Sequence, residues 1–148
     1  MALSANRQVD TYPGQGIIIE PIVTNAVQIY AGALCSILLS TGALVIPTSA
    51  SASTVQQFAG IALEKVLGDG VKRCKVLMGG YFWHALGSGT VADIGKKVYS
   101  ASNSDDTITL TGTVNTTQCI GSIVAYDPVK DLFLIQSKRL GENIDAIS

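Results

Sequence analysis

Val71-Lys72-Arg73-Cys74-Lys75-Val76-Leu77-Met78, followed by Gly79-Gly80 and Tyr81-Phe82-Trp83-His84, is the stretch that decides the fold class. Its first eight residues alternate. Val71, Arg73, Lys75 and Leu77 fall on one face, and Lys72, Cys74, Val76 and Met78 on the other. A period of two is the pattern of a strand, because successive Cβ atoms point to opposite sides of a pleated backbone. The glycine pair breaks or bulges that strand, and the β-favouring run from Tyr81 to His84 carries it on. On the near side, Gly68-Asp69-Gly70 reads as a turn, since glycine takes positive φ without a steric penalty.

The same rhythm extends in both directions. Toward the C-terminus, Gly87-Ser88-Gly89 marks a second turn, residues 90–94 fit a short helical turn, and residues 96–101 read as a strand. Asn103-Ser104-Asp105-Asp106 turns into an alternating run at 107–111, and the strands at 118–126 and 132–137 meet at Asp127-Pro128. Toward the N-terminus, strand character recurs at 58–66, 27–39, 44–46 and 17–19, with a Ser/Ala/Thr loop at 48–54. Residues 31–46 are uncharged and apolar, but a spanning helix needs about 20 residues and Ser40-Thr41-Gly42 interrupts them as a turn. Two strands joined tightly are expected there, and no membrane association. Short strands spaced at roughly 8–12 residues predict an all-β fold, a small antiparallel β-barrel or β-sandwich. Residues 1–16 read as an extended N-terminal arm, 17–138 as a single β domain, and 139–148 as a short C-terminal tail.

Composition narrows the function. Of 148 residues, 14% are charged and 47% hydrophobic, against a usual charged share of about 25%. Such a surface leaves apolar area for partners, and a homo-oligomer is expected. A net charge of −1 gives no basic stripe for nucleic acid, so none is expected as a partner. Cys35, Cys74 and Cys119 are widely separated, with no metal-ligand spacing, and read as small buried hydrophobes in a reducing compartment. The first ten residues carry no apolar segment of the kind a secretory signal needs.

No catalytic constellation emerges, and the chain is expected not to be an enzyme, with no cofactor and no metal. His84 is the single histidine and lacks a neighbouring nucleophile or orienting carboxylate. Gly68-Asp69-Gly70 and Gly87-Ser88-Gly89-Thr90 lack the Lys-Ser/Thr of a phosphate loop. Asp105-Asp106 and Asp127 with Asp131 read as turn aspartates more readily than as calcium ligands, and Glu20, Glu64 and Glu142 lack the context of a glycosidase pair. Tyr81, Phe82, Trp83 and His84 are the candidates for an oligomer interface: one face of that strand is expected in the core, the other against a subunit.

Several segments, in order, resemble the small capsid decoration (cement) proteins of tailed bacteriophages. Ala5-Asn6-Arg7 and the polar stretch after it look like that family's arm. Ile29-Tyr30-Ala31-Gly32-Ala33-Leu34 is similar to its apolar-Tyr-x-Gly-Ala-apolar strand, and residues 42–47 to its short return strand ending in proline. Phe58-Ala59-Gly60-Ile61-Ala62 resembles a Phe-x-Gly-Val-Ala segment, and residues 70–75 a Gly-x-x-x-Val-Arg-Val strand. Gly95-Lys96-Lys97-Val98-Tyr99 and Ile120-Gly121-Ser122-Ile123 look like its Gly-x-x-Val-Tyr and Ile-Gly-x-Val strands. The doubled glycine at 79–80 and the tail depart from the pattern.

The resemblance implies a structural virion protein, made in the host cytoplasm, that binds the outer surface of a capsid and stabilises it as a small oligomer, a trimer being favoured. It implies the major capsid protein as partner and a capsid-binding arm with Asn6, Arg7, Gln8 and Tyr12 as contacts. A head- or tail-fibre base protein and a small ligand-binding β domain are the alternatives.

Overall fold

The computed structural model describes residues 3–7, 9, 11–12, 16–47, 56–86, 89–100, 105–110 and 118–138. The strands are, in chain order, β1 (Thr11–Tyr12), β2 (Ile17–Ile19), β3 (Gln28–Ile29), β4 (Leu34–Leu38), β5 (Leu44–Val45), β6 (Gln56–Ala62) and β7 (Val66–Leu67). They continue with β8 (Val76–Met78), β9 (Tyr81–His84), β10 (Lys97–Ser100), β11 (Ile108–Thr109), β12 (Cys119–Asp127) and β13 (Leu132–Ser137). All pair antiparallel, in a six-stranded sheet ordered β1-β9-β13-β12-β10-β11, a five-stranded sheet ordered β2-β8-β6-β4-β5, and the pair β3-β7. The all-β expectation holds, and the arrangement is sandwich-like. A short 3-10 turn, Val91–Asp93, stands where residues 90–94 were expected to coil.

The deciding stretch divides at its glycines. β8 belongs to the five-stranded sheet and β9 to the six-stranded one, so Gly79-Gly80 is the corner where the chain changes sheets. Both glycines have positive φ, 78° and 73°, which a side chain would oppose. The expectation of one interrupted strand is corrected here: a break within a strand and a corner between sheets leave the same glycine signal. The turn at 68–70 is real, with Asp69 Oδ1 accepting from the amides of Val71 and Lys72 at 2.9 and 2.7 Å. It joins no simple hairpin, because β7 pairs β3 while β8 pairs β6 and β2.

The apolar stretch at 31–46 resolves into β4 and β5, paired Ser36 to Val45 and Ile37 to Leu44 across the turn at 39–42. Among the described residues no helix is long and apolar enough to cross a membrane.

Side chains of the five-stranded sheet build two cores. On one face Leu34, Ile61 and Leu77 stand side by side across β4, β6 and β8. Leu34 and Ile61 meet Phe82, Ile135 and Ile123, a matching row on the six-stranded sheet. This is the core between the sheets. On the other face Cys35, Ala59, Ala62 and Val76 form a second core with Val23, Ile29 and Leu44. Single bridges from Ile22 to Arg73 and from Val23 to Leu44 tie the segment after β2 across that face, curling the sheet around it.

One buried polar chain links the sheets. Ser36 Oγ on β4 donates to Gln118 Oε1 at 2.6 Å, and Gln118 Nε2 donates to Gln56 Oε1 on β6 at 2.8 Å. Gln118 leads into β12 and exchanges backbone contacts with Ser100 of β10, at 2.9 Å to Ser100 N and 3.2 Å to its Oγ. All four residues are buried. A fully partnered polar network of this kind specifies register between layers that apolar packing alone leaves free.

Candidate functional site

The N-terminal segment lies on its own domain. Leu3 N donates to Asp105 Oδ1 at 2.8 Å, Asn6 Oδ1 accepts from Ala31 N at 3.0 Å, and Arg7 N donates to Ala31 O at 2.9 Å. Arg7 then enters the fold side chain first. Its Nε donates to Gly32 O at 3.0 Å, Nη1 to Asp106 O at 3.3 Å, and Nη2 to His84 Nε2 at 2.8 Å. Gly32 makes this possible: at φ 85° its missing Cβ leaves the space that the Arg7 carbonyl and Cγ occupy. Leu3 packs on the core inside the curled sheet and Val9 on the core between the sheets. β1 closes the segment onto β9, pairing Thr11 with Phe82 and Tyr12 with Tyr81.

Of the expected arm contacts, Asn6 and Arg7 are thus held by the chain's own backbone and by His84. Tyr12 contributes strand pairing. Gln8 lies outside the described residues, as does the tail at 139–148.

β9 alternates as a strand must. Phe82 and His84 are 1% and 4% exposed, while Tyr81 and Trp83 are half-buried on the opposite face. Of the four interface candidates, Phe82 and His84 thus form the face expected in the core, because pairing with β13 and β1 places that face over the core between the sheets. Tyr81 and Trp83 remain on the outer face, Trp83 beside Leu134 of β13.

His84 is chemically closed. A guanidinium only donates, so Nε2 accepts from Arg7 and the ring proton sits on Nδ1, which donates to Ala85 O at 2.8 Å. Burial first, and then the Arg7 charge, lower its pKa to about 4. A neutral imidazole with both nitrogens engaged, and Arg7 rather than a hydroxyl at Nε2, is not arranged as a general base. Cys35 and Cys74 are buried as expected and are no better as nucleophiles, whereas Cys119, expected to be buried, is only half-buried. Burial pushes Cys74 up to about 11 and Cys35 well above the usual thiol range. The carboxylates of Asp69 and Asp127 cap their own turns, Asp127 Oδ1 accepting from Val129 N at 2.9 Å. Among the described residues no three His, Cys, Asp or Glu side chains are grouped to hold a metal.

One surface feature escaped the sequence reading. The apolar row Leu34-Ile61-Leu77 continues into β2, where Ile18 pairs with Leu77, and ends there in the open. Exposure rises along it from 0, 2 and 4% to 59% at Ile18. Ile17 is 54% exposed on the same strand, β2 stands at the end of its sheet, and no charged side chain lies within it. The available signal was the three consecutive isoleucines, which mark a strand without showing that it is an edge. No family model, curated protein or solved structure matches the chain.

Proposed function

We propose that the protein is a structural virion component that binds the outer surface of a bacteriophage capsid and stabilises it, acting as a small homo-oligomer. The observation that carries the assembly half of this proposal is the β2 edge. Soluble proteins ordinarily protect exposed edges by keeping them short or with charge, proline or a bulge, because unpaired strand backbone recruits another chain. β2 is short and Glu20-Pro21 end it, yet both Ile17 and Ile18 stay more than half exposed. Ile17-Ile18-Ile19 carries no charge, proline or bulge within the strand, and an interior apolar row runs out to it. A surface of this kind is expected to be covered in the working state. The choice of a capsid as partner rests on the ordered segments that resemble decoration proteins, from Ile29-Tyr30-Ala31-Gly32-Ala33-Leu34 to Ile120-Gly121-Ser122-Ile123. A rigid β domain held by two cores suits reinforcement of a lattice, where many modest contacts act together.

Sedimentation velocity of the purified full chain, followed by co-sedimentation with capsids lacking it, tests the proposal. A discrete oligomer that saturates the capsids and raises their resistance to heat is the expected result. A monomer that leaves capsids bare and unprotected would overturn it.

A further inference from the structure

We propose that the Arg7–His84 contact is an acid-sensitive latch, and that a proton taken up by His84 releases residues 3–7 from the domain while the strands β2 to β13 stay folded. The inference concerns the isolated chain and stands apart from the capsid assignment.

Its geometry is restrictive. Nε2 of His84 can accept the Arg7 Nη2 hydrogen only while it keeps its lone pair. Nδ1 already directs its hydrogen at Ala85 O. A second ring proton has no place except against the guanidinium, so imidazolium and guanidinium would confront each other donor to donor across 2.8 Å. Exposure of 4% keeps water from separating them.

Among the described residues the charged groups facing His84 are few. The N-terminal segment supplies Arg7, and the 105–110 segment supplies Asp106, which favours the protonated ring more weakly than burial and Arg7 oppose it. β13 sets the uncharged Phe133 opposite, and Phe82 on His84's own strand meets the ring edge-on. Arg7 cannot shed its proton, so the repulsion is relieved by movement, and the movable partner is the N-terminal segment.

That segment is fastened at the periphery of the sheets, where β1 is an edge strand. Besides the strand pairing of β1, it is held by hydrogen bonds from Leu3 to Asp105, between Asn6 or Arg7 and Ala31, and from Arg7 to Gly32, Asp106 and His84. Asp105 acts in the same sense. Burial raises its pKa, and once protonated it offers Leu3 N a weaker acceptor and supports Arg7 no longer. By contrast Gly32 N, next to Ala31, bonds Ala62 O within the domain and provides an internal control.

The test is amide exchange by NMR on the full chain between about pH 7 and about pH 4, corrected for the intrinsic rate, with the single imidazole followed alongside. Protection at Leu3, Arg7 and Ala31 is expected to fall by up to about tenfold per pH unit once the pH is below the free imidazole value. Gly32 and the β12–β13 amides should keep theirs. His84→Gln, which retains an acceptor and cannot titrate, should hold Arg7 and Ala31 protected across the range. Leu3, whose acceptor is Asp105, reports that carboxylate in both proteins and is left out of the comparison. Loss of Arg7 and Ala31 protection in that variant over the same range would overturn the latch. So would an imidazole that titrates at its ordinary value with protection unchanged, or a loss common to all amides at once. Should His84→Gln not fold, the contrast between Ala31 and Gly32 in the natural chain decides alone.

Discussion

Arg7 and His84 are 77 positions apart, and the direction of their one hydrogen bond fixes the protonation state of the ring. The linkage has a definite sign. His84 is held at about 4 in the folded chain against 6.5 when free, so between these values the unfolded chain binds more protons. Stability of the complete fold is full above pH 6.5 and declines as the pH falls toward 4. At about 1.4 kcal/mol per unit the loss is at most roughly 3–4 kcal/mol. Urea unfolding at several pH values, in the natural chain and in His84→Gln, isolates it: the difference between their slopes belongs to His84, and equal slopes would assign the pH dependence to the carboxylates. No spacing rule brings this pair together, since neither residue stands in a local motif. From sequence, His84 was legible as a strand histidine, and its partner was not legible at all.

At the scale of elements, what sequence discloses depends on how local the determinant is. The hairpin of β12 and β13 was readable from Asp127-Pro128 and two flanking apolar runs, because turn and strands adjoin. The change of sheets at Gly79-Gly80 was not, since the partners that place β8 and β9 in different sheets come from residues 17–19, 61–62, 11–12 and 133–136. The same remoteness hid the polar chain through Ser36, Gln118 and Gln56, whose hydrogen bonds span 82 and 62 positions. Its role is open to measurement. Gln118→Ala removes the acceptor of Ser36 Oγ and the donor to Gln56 Oε1 in a dry interior, where each deserted group carries its full desolvation cost. A destabilisation of roughly 2–4 kcal/mol in urea titration is expected. A change below about 0.5 kcal/mol would mean that the layers are aligned by apolar packing alone.

For the whole molecule, low charge raises the expectation of a partner surface, while the three-dimensional order of strands adds the β2 edge as a candidate for it. Tyr81–His84 drew attention in sequence because aromatics concentrate at interfaces, yet half of that strand is core. The apolar row that leaves the core at Ile18 drew none, because an isoleucine at a sheet edge and one at a sheet centre are written alike. If β2 is the contact between copies, a charge on its exposed face should dissolve the oligomer without harming the fold. Ile18→Lys meets both conditions: the position is 59% exposed, so the change should cost the monomer no more than about 0.5 kcal/mol, and lysine is the residue with which natural edges repel pairing. Sedimentation velocity should show the variant shifted to monomer at concentrations where the natural chain is assembled, with an unchanged thermal midpoint at high dilution. Val129→Lys, at a hairpin tip that is 92% exposed, is the matched control and should sediment as the natural chain does. An Ile18→Lys protein that remains fully assembled would remove β2 from the interface and return attention to the outer face of Tyr81 and Trp83.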